Sequence, residues 1–286
     1  MDPVARPAVR RGTRARHEAL LKLLRGGTTR VEELADALGV SPSTVRRDLG
    51  RLTRDRKVAR TYGGALVPEA FHERPVSESA LLRRQAKAEI AATARSLVPR
   101  TGAVFVDAGS TCTALARHLA ATGAAGAAAG EASGGAPRGG LVVTRGLETA
   151  SALTGAPGYD VLLLGGRILP LSHGLIGPLT DLALERLSFE VAFLGADAVD
   201  PERGVGEPTL EETAVKERVA ARSRRVVVLA DATKLRIHDA PAWTRLPPGW
   251  TLVTDADAPA DLESRCALAG VTPLRAPRLP EPRQRA

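Results

Sequence analysis

Between residues 14 and 54 the apolar positions fall on helical faces. Leu20, Leu21, Leu23 and Leu24 form the stripe of a short first helix over 14–25, which Gly26-Gly27 ends. Val31, Leu34, Ala35 and Leu38 recur at i, i+3, i+4 and i+7 and predict a second helix. Thr29 and Glu32 stand before it at capping-box spacing, and Gly39 suits the turn that follows it. Ser41-Pro42 opens a third helix, with Ser as N-cap and Pro in the first turn, where its missing N–H costs nothing. Val45, Leu49 and Leu52 share the inward face of this helix, so Ser43, Arg46, Arg47, Gly50 and Arg54 face out. Residues 57–67, KVARTYGGALV, predict a small β-hairpin with Gly63-Gly64 near its turn.

After a polar, two-proline stretch at 68–79 the pattern changes. A helical pattern runs from 80 to 97. Strand-like runs at 103–107, 141–144, 161–164, 191–195, 225–230 and 251–254 then alternate with helical patterns near 112–121, 146–154, 178–187 and 210–223. Such alternation predicts an α/β domain with a mostly parallel sheet. The Ala/Gly-rich run 120–140 reads as a flexible surface insertion, and the closing APRLPEPRQRA as disordered. The chain therefore divides into a basic tail (1–12), a small helical domain with a hairpin (13–67), a linker (68–79), an α/β domain (80–260) and a C-terminal tail (261–286).

Composition sharpens this division. A chain of 286 residues suits two domains, and with 44% hydrophobic but only 3% aromatic residues its core must be built from Val, Leu, Ile and Ala. Residues 1–60 hold 15 Lys and Arg against 7 Asp and Glu, which accounts for the entire formal charge of +8. That asymmetry points the N-terminal unit alone at a polyanion. Two helices joined at a glycine turn, the second presenting Ser, Thr and Arg outward near its start, form a helix-turn-helix, and the hairpin is then its wing. The DNA-contacting candidates are Ser41, Ser43, Thr44, Arg46, Arg47 and Arg51 on the third helix, with Lys57, Arg60 and Tyr62 on the wing. Arginine suits guanine O6/N7 bidentately and phosphate equally well. Cys112 and Cys266 lie far apart without a CxxC, so no disulfide framework, metal site or cofactor is expected. There is no apolar run of membrane-spanning length and no secretory signal, and the reading is a cytoplasmic protein without a membrane partner.

The stretch VEELADALGVSPSTVRRDLGRL, followed by RTYGGAL, resembles the DNA-binding domain of the DeoR family of bacterial regulators. The run VS-x-x-T-V-R-R-D-L and the later GGA occur together at the family's distance. A His commonly precedes that GGA, where this chain has Tyr62. The resemblance implies binding to double-stranded operator DNA, usually as a repressor.

In parallel sheets, ligands bind beyond the carboxyl ends of the strands. Here the first such end carries Asp107, Gly109, Ser110 and Thr111 into a helix start, which offers N–H groups and hydroxyls to an anion. The next carry Thr144-Arg145, Gly165-Gly166 and Gly195-Ala196-Asp197; Lys216 lies on the helix EETAVKERV and Lys234 in DATKL. An anion cradle with hydroxyl partners suits a polyol phosphate. Over roughly 80–255, the pieces FVDAGSTCTALARHL, VVTRGLETASAL, LLLGGRI, GPLTDLALERL, AFLGADAVD, EETAVKERV and VVLADATKL resemble the DeoR-family sensor domain. That resemblance implies a fold related to ribose-5-phosphate isomerase and a phosphorylated sugar as effector. It implies ligand roles for Asp107, Gly109, Ser110, Thr111, Thr144, Asp197, Lys216 and Lys234. Arg145 stands where the family often has Asn, and Ala198 where it often has Gly. Three functions follow from this layout: a metabolite-gated regulator without enzymatic activity, a DNA-binding protein whose second domain only assembles it, and a sugar-phosphate isomerase with a DNA-binding head. The first is the reading adopted. A dimer or tetramer is expected, because helix-turn-helix proteins commonly read paired half-sites.

Overall fold

The computed structural model describes residues 13–25, 30–54, 58–61, 64–66, 73–128, 140–237 and 239–279. The chain forms two compact units, Met1–Ala70 and Phe71–Ala286. The expectations for the basic tail 1–12, the Gly26-Gly27 stop, Lys57 and Tyr62 lie outside the described residues.

The first unit holds α1 (Thr13–Arg25), α2 (Val31–Leu38), α3 (Pro42–Arg54) and an antiparallel hairpin of β1 (Ala59–Thr61) and β2 (Gly64–Leu66). Leu20, Leu24, Val31, Leu34, Ala35, Val45, Leu49, Leu52 and Val58 make one buried cluster, so the apolar stripes meet face to face. Gly39 ends α2 at φ 63°, a left-handed conformation that favours glycine. The start of α2 differs from the capping-box expectation. Its N-cap is Arg30 with no side-chain cap, and Thr29 lies outside the described residues. Packing of Val31 and Leu34 holds this end instead.

The second unit opens with α4 (Val76–Leu81) and α5 (Arg84–Arg95), where the sequence pattern suggested one helix from 80. Arg83, at φ 52°, breaks them apart. Its guanidinium reaches Asp255 and Asp257, each at 2.9 Å, while Lys87 Nζ donates to the Ser79 and Leu82 carbonyls left open at the end of α4. The segment expected to be a linker up to residue 79 is thus folded onto this unit from Val76 onward, with the Val76 N–H on the Leu171 carbonyl at 2.7 Å.

Then come β3 (Val104–Val106), α6 (Ser110–Ala128), β4 (Leu141–Thr144), α7 (Leu147–Leu153) and β5 (Asp160–Leu163). A short hairpin of β6 (Arg167–Ile168) and β7 (Leu175–Ile176) leads to α8 (Pro178–Leu184) and β8 (Val191–Leu194). After β9 (Ala198–Asp200), β10 (Gly204–Glu207), α9 (Leu210–Ala221), β11 (Val226–Leu229), β12 (Ala242–Thr244) and β13 (Thr251–Thr254), the unit closes with α10 (Leu262–Ala269) and β14 (Thr272–Arg275). Seven strands form one parallel sheet in the order β14-β13-β11-β8-β3-β4-β5, and β12-β10-β9 form a small antiparallel one.

Both faces of the large sheet are covered. Val104 and Val106 pack with α5, α6 and α7, while Phe105 packs with α8, α9 and α10. Strands buried on two faces read as unbroken apolar runs, which is why β8 and β11 were visible as VAFL and VVVL.

Two expectations need correction. Residues 120–128 are the last turns of α6, not part of an insertion; alanine is the strongest helix former, and only 129–139 lie outside the described residues. Residues 261–286 are not simply a tail. α10 buries Leu262 and Cys266, β14 adds the outer strand, and the Leu279 N–H reaches Glu89 Oε1 at 2.9 Å.

Candidate functional site

In the first unit, the Ser41 Oγ accepts the Thr44 N–H at 3.2 Å and bonds the Ser43 and Thr44 hydroxyls, each at 2.9 Å. Ser41 therefore caps α3 while staying at the surface. Ser43, Arg46, Arg47 and Arg51 are exposed and Thr44 is half-buried. Arg46 Nη2 lies 3.2 Å from Glu32 Oε1, and both side chains are mostly in solvent. Such a surface pair is worth only about 0–1 kcal/mol, so it does little to hold the Arg46 guanidinium in place. Arg60 lies on β1 of the hairpin.

One residue of α3 escaped the sequence reading. Asp48 is buried and accepts from Arg16 Nε at 2.6 Å, with His17 Nε2 at 3.1 Å, which ties α1 to α3. Burial alone would raise its pKa, but the hydrogen bonds from Arg16 and His17 outweigh it and hold the carboxyl below its ordinary value. Asp48→Ala is expected to destabilise the unit by about 2 kcal/mol, the scale of lost hydrogen bonds to charged groups. The wild-type contribution is present above the ordinary carboxylate pKa of 3.8 and is lost as pH falls through the lower folded value. Hydrogen exchange of the α3 amides, compared between wild type and variant, checks the loss.

The second unit reverses strand order between β3 and β8: β4 and β5 lie to one side, β11, β13 and β14 to the other. The crevice at the carboxyl ends of β3 and β8 is the switch point where parallel sheets hold ligands. Asp107 directly follows β3 there. It is fully buried, and its Oδ1 accepts from Arg145 Nε at 2.6 Å and from the Ala108 N–H at 2.8 Å. Lys216 of α9 places Nζ 3.0 Å from Asp107 Oδ2, 2.7 Å from Glu207 Oε1 and 2.6 Å from the Gly195 carbonyl oxygen. At 2% and 3% exposure, Arg145 and Lys216 are interior cations rather than rim groups. Arg145 Nη2 lies 4.0 Å from Glu212 Oε1, and Asp197 pairs with Lys234 Nζ at 2.8 Å in a half-buried position.

The charges follow this wiring. Burial works against Asp107, yet Arg145 and Lys216 outweigh it and hold the carboxyl down at about 2. Burial also opposes the Lys216 ammonium, but Asp107 and Glu207 keep it charged. Glu207 goes the other way: burial, helped by Asp197 and Glu212, pushes it up to about 8 against the pull of Lys216. Two acids share one ammonium, and Asp107 takes the negative charge.

The expected ligand residues thus separate. Asp107, Arg145, Asp197, Lys216 and Lys234 converge. Gly109, Ser110 and Thr111 are half-buried at the start of α6, with Gly109 at φ 100°. Thr144 turns inward, and its Oγ1 accepts the Gly146 N–H at 3.0 Å. Gly165 and Gly166 follow the edge strand β5, both exposed, and only Gly166 is pressed against neighbouring atoms. A Cβ on Gly166 would lie 2.5 Å from the Ile176 carbonyl oxygen, and the Gly165 carbonyl accepts from Thr180 Oγ1. Glu207, Glu212 and Glu73 were missed. Only Glu212 had a signal, the capping box it forms with Thr209, whose Oγ1 accepts the Glu212 N–H. An open groove of 620 Å³, lined by Phe189, Glu190 and Arg224 among others, sits at the amino ends of the strands, away from this network.

Residues 16–71 match the DeoR-like helix-turn-helix domain, and residues 136–256 match the DeoR C terminal sensor domain. The HTH-type transcriptional regulator GlpR of Haloferax volcanii is 30% identical, over 85% of this chain and 89% of its own. The chain belongs to the DeoR family. The glycerol-3-phosphate regulon repressor of Escherichia coli strain K12 is 26% identical over 77% of this chain and 81% of its own. Among solved structures, ribose 5 phosphate isomerase A from Neisseria gonorrhoeae aligns at a TM-score of 0.35 and 17% identity over 52% of each chain, too distant to argue from. This DeoR-family chain is a DNA-binding transcription regulator rather than an enzyme, with an α/β sensor domain behind its helix-turn-helix. Among the described residues no helix is long and apolar enough to cross a membrane.

Proposed function

We propose that this regulator is a repressor whose operator affinity is set by a phosphorylated sugar or polyol held at the carboxyl ends of β3 and β8. The observation that carries the reading is the convergence, at the sheet's switch point, of Asp107, Arg145, Lys216, Asp197 and Lys234 beside the Gly109–Thr111 helix start. The helix start offers N–H groups and two hydroxyls to a phosphate, and Asp197 and Lys234 at the rim offer partners to hydroxyls. A relative named for the glycerol-3-phosphate regulon agrees with this ligand class. A ligand changes operator affinity only by binding two states of the protein unequally. Assembly as a dimer or tetramer supplies those states: in one, two helix-turn-helix heads match paired half-sites, and in the other they do not. The site of action is the cytoplasm, with the operator DNA.

A second reading draws on the same network. Arg145 and Lys216 spend their charge on Asp107 and Glu207, as in a domain that only assembles the protein. Fluorescence anisotropy of the full-length protein on its operator separates the two. Titration with a panel of sugar and polyol phosphates is expected to weaken operator binding at least tenfold for one member. An operator affinity indifferent to the whole panel would leave assembly as the domain's role.

A further inference from the structure

We propose that Glu73, three residues past the end of the DNA-binding unit, is a ligand-selecting residue of the effector site, where it receives a hydroxyl of the ligand and disfavours bare phosphate. This rests on the effector reading above.

One turn holds the relevant groups together. The Val76 N–H is bonded to the Leu171 carbonyl, which anchors the Glu73 segment to the turn 171–175. Ser172 Oγ of that turn reaches Glu212 Oε1 at 3.3 Å, and the Leu175 N–H is bonded to the Arg145 carbonyl at 2.7 Å. Gly174 leaves room for the guanidinium: a Cβ there would lie 2.5 Å from Arg145 Nη1. The Glu73 segment and Arg145 are therefore tied to the same short turn, and Glu73 lies near enough to Arg145 and Lys234 to feel their charge.

Both carry a buried polar atom without a hydrogen-bond partner among the described residues, Glu73 Oε1 and Arg145 Nη1. Buried polar atoms in native proteins are nearly always satisfied, and those that are not call for an explanation. One of these atoms is an acceptor and the other a donor. A hydroxyl group does both jobs, accepting from the guanidinium and donating to the carboxylate. An ionised phosphate oxygen accepts only, so it satisfies Arg145 and repels ionised Glu73.

The surrounding charge favours the same ligand. Glu212 of α9 and Asp197 beyond β8 push against Glu73, while Arg145 beyond β4 and Lys234 in the short turn Lys234–Arg236 pull on it. Burial, the largest influence, with the two acids, brings its carboxyl up to about 7. Near neutrality the mouth of the site thus carries a carboxyl group that exchanges its proton readily and accepts a hydrogen bond when ionised. The phosphate end of the ligand is left to the Gly109–Thr111 helix start.

Calorimetry on the full-length protein tests this, with glycerol 3-phosphate, ribose 5-phosphate and inorganic phosphate as probes. The wild type is expected to bind at least one polyol phosphate more tightly than inorganic phosphate. Glu73→Ala is expected to weaken that polyol phosphate at least tenfold and leave inorganic phosphate unchanged or tighter. Glu73→Gln, which keeps a carbonyl acceptor, recovers part of the loss. A purely structural Glu73 would lower both ligands alike, and a wild-type ratio between them in Glu73→Ala would overturn the assignment. A wild type silent to every probe would remove the effector reading itself, and the role of Glu73 with it, before any variant is made.

Discussion

Lys216→Met is expected to cost the sensor unit about 3–5 kcal/mol, the scale observed when one partner of a buried ion pair is removed. Lys216 Nζ serves Asp107, Glu207 and the Gly195 carbonyl at 3.0, 2.7 and 2.6 Å, and none of these acceptors has solvent to turn to. Methionine matches the stem of the lysine, so the loss is one of charge and donors rather than of packing. Asp107 keeps Arg145, but Glu207 keeps no cation and must remain protonated. At roughly 2–4 °C per kcal/mol for a unit of this size, melting is lowered by roughly 10 °C. Differential scanning calorimetry of the full chain reads this as a shift of the sensor transition; an unmoved transition would mean that the network contributes nothing to folding.

Glu207 adds a pH signature to the same measurement. Its folded value of about 8 lies above its ordinary 4.5, so between these limits the folded state binds more protons than the unfolded one. Stability from this group is complete below 4.5 and is lost as pH rises through 8. Glu207→Gln is expected to flatten that decline without replacing any heavy-atom contact by a void.

Arg46→Ala combined with Arg47→Ala is expected to weaken operator binding by about 2–6 kcal/mol, if each guanidinium reads a base at about 1–3 kcal/mol. Both side chains are exposed on α3, and the Arg46–Glu32 contact is a weak surface pair. The form of the loss tells the roles apart. A base contact relaxes specificity at one operator position. A phosphate contact weakens all sequences alike and lowers the salt slope by about one. Anisotropy titrations on operator and scrambled DNA at several salt concentrations measure both. Binding unchanged in the double variant would show that α3 does not read the operator.

The contrast between the two sites reflects how each is encoded. The DNA-reading face is a property of one helix. Pro42, Val45, Leu49 and the arginines lie within the thirteen residues of α3 and Ser41 directly precedes it, so a 3.6-residue period and local capping rules place them. The crevice at the switch point is assembled from β3, β4, β8, β10 and α9, a span of more than a hundred residues. Strand ends could be located from apolar runs, and so Asp107, Asp197 and Lys234 were within reach, whereas Lys216, on α9, was singled out by the family resemblance. Glu207 lies in GVGE, a strand of the small antiparallel sheet too short and glycine-rich to show any period.

Arg145 shows the limit most clearly. Its position after β4 was plain from VVT, where its charge could strengthen phosphate binding or fill part of the pocket. Whether a guanidinium faces solvent or lies buried depends on what surrounds it, and here Asp107 and Glu212 come from segments 38 and 67 residues away. Asp48 obeys the same rule on a smaller scale, since nothing local says that Arg16 and His17 will meet it. Periodicity, caps and the uneven charge were enough, before any coordinates, to define a basic helix-turn-helix joined to a parallel α/β domain, because those features act over a few neighbouring residues. Which charges became a buried network, and which remained exposed to meet DNA, followed from long-range packing alone, because desolvation and ion pairing are set by residues that only the folded chain brings together.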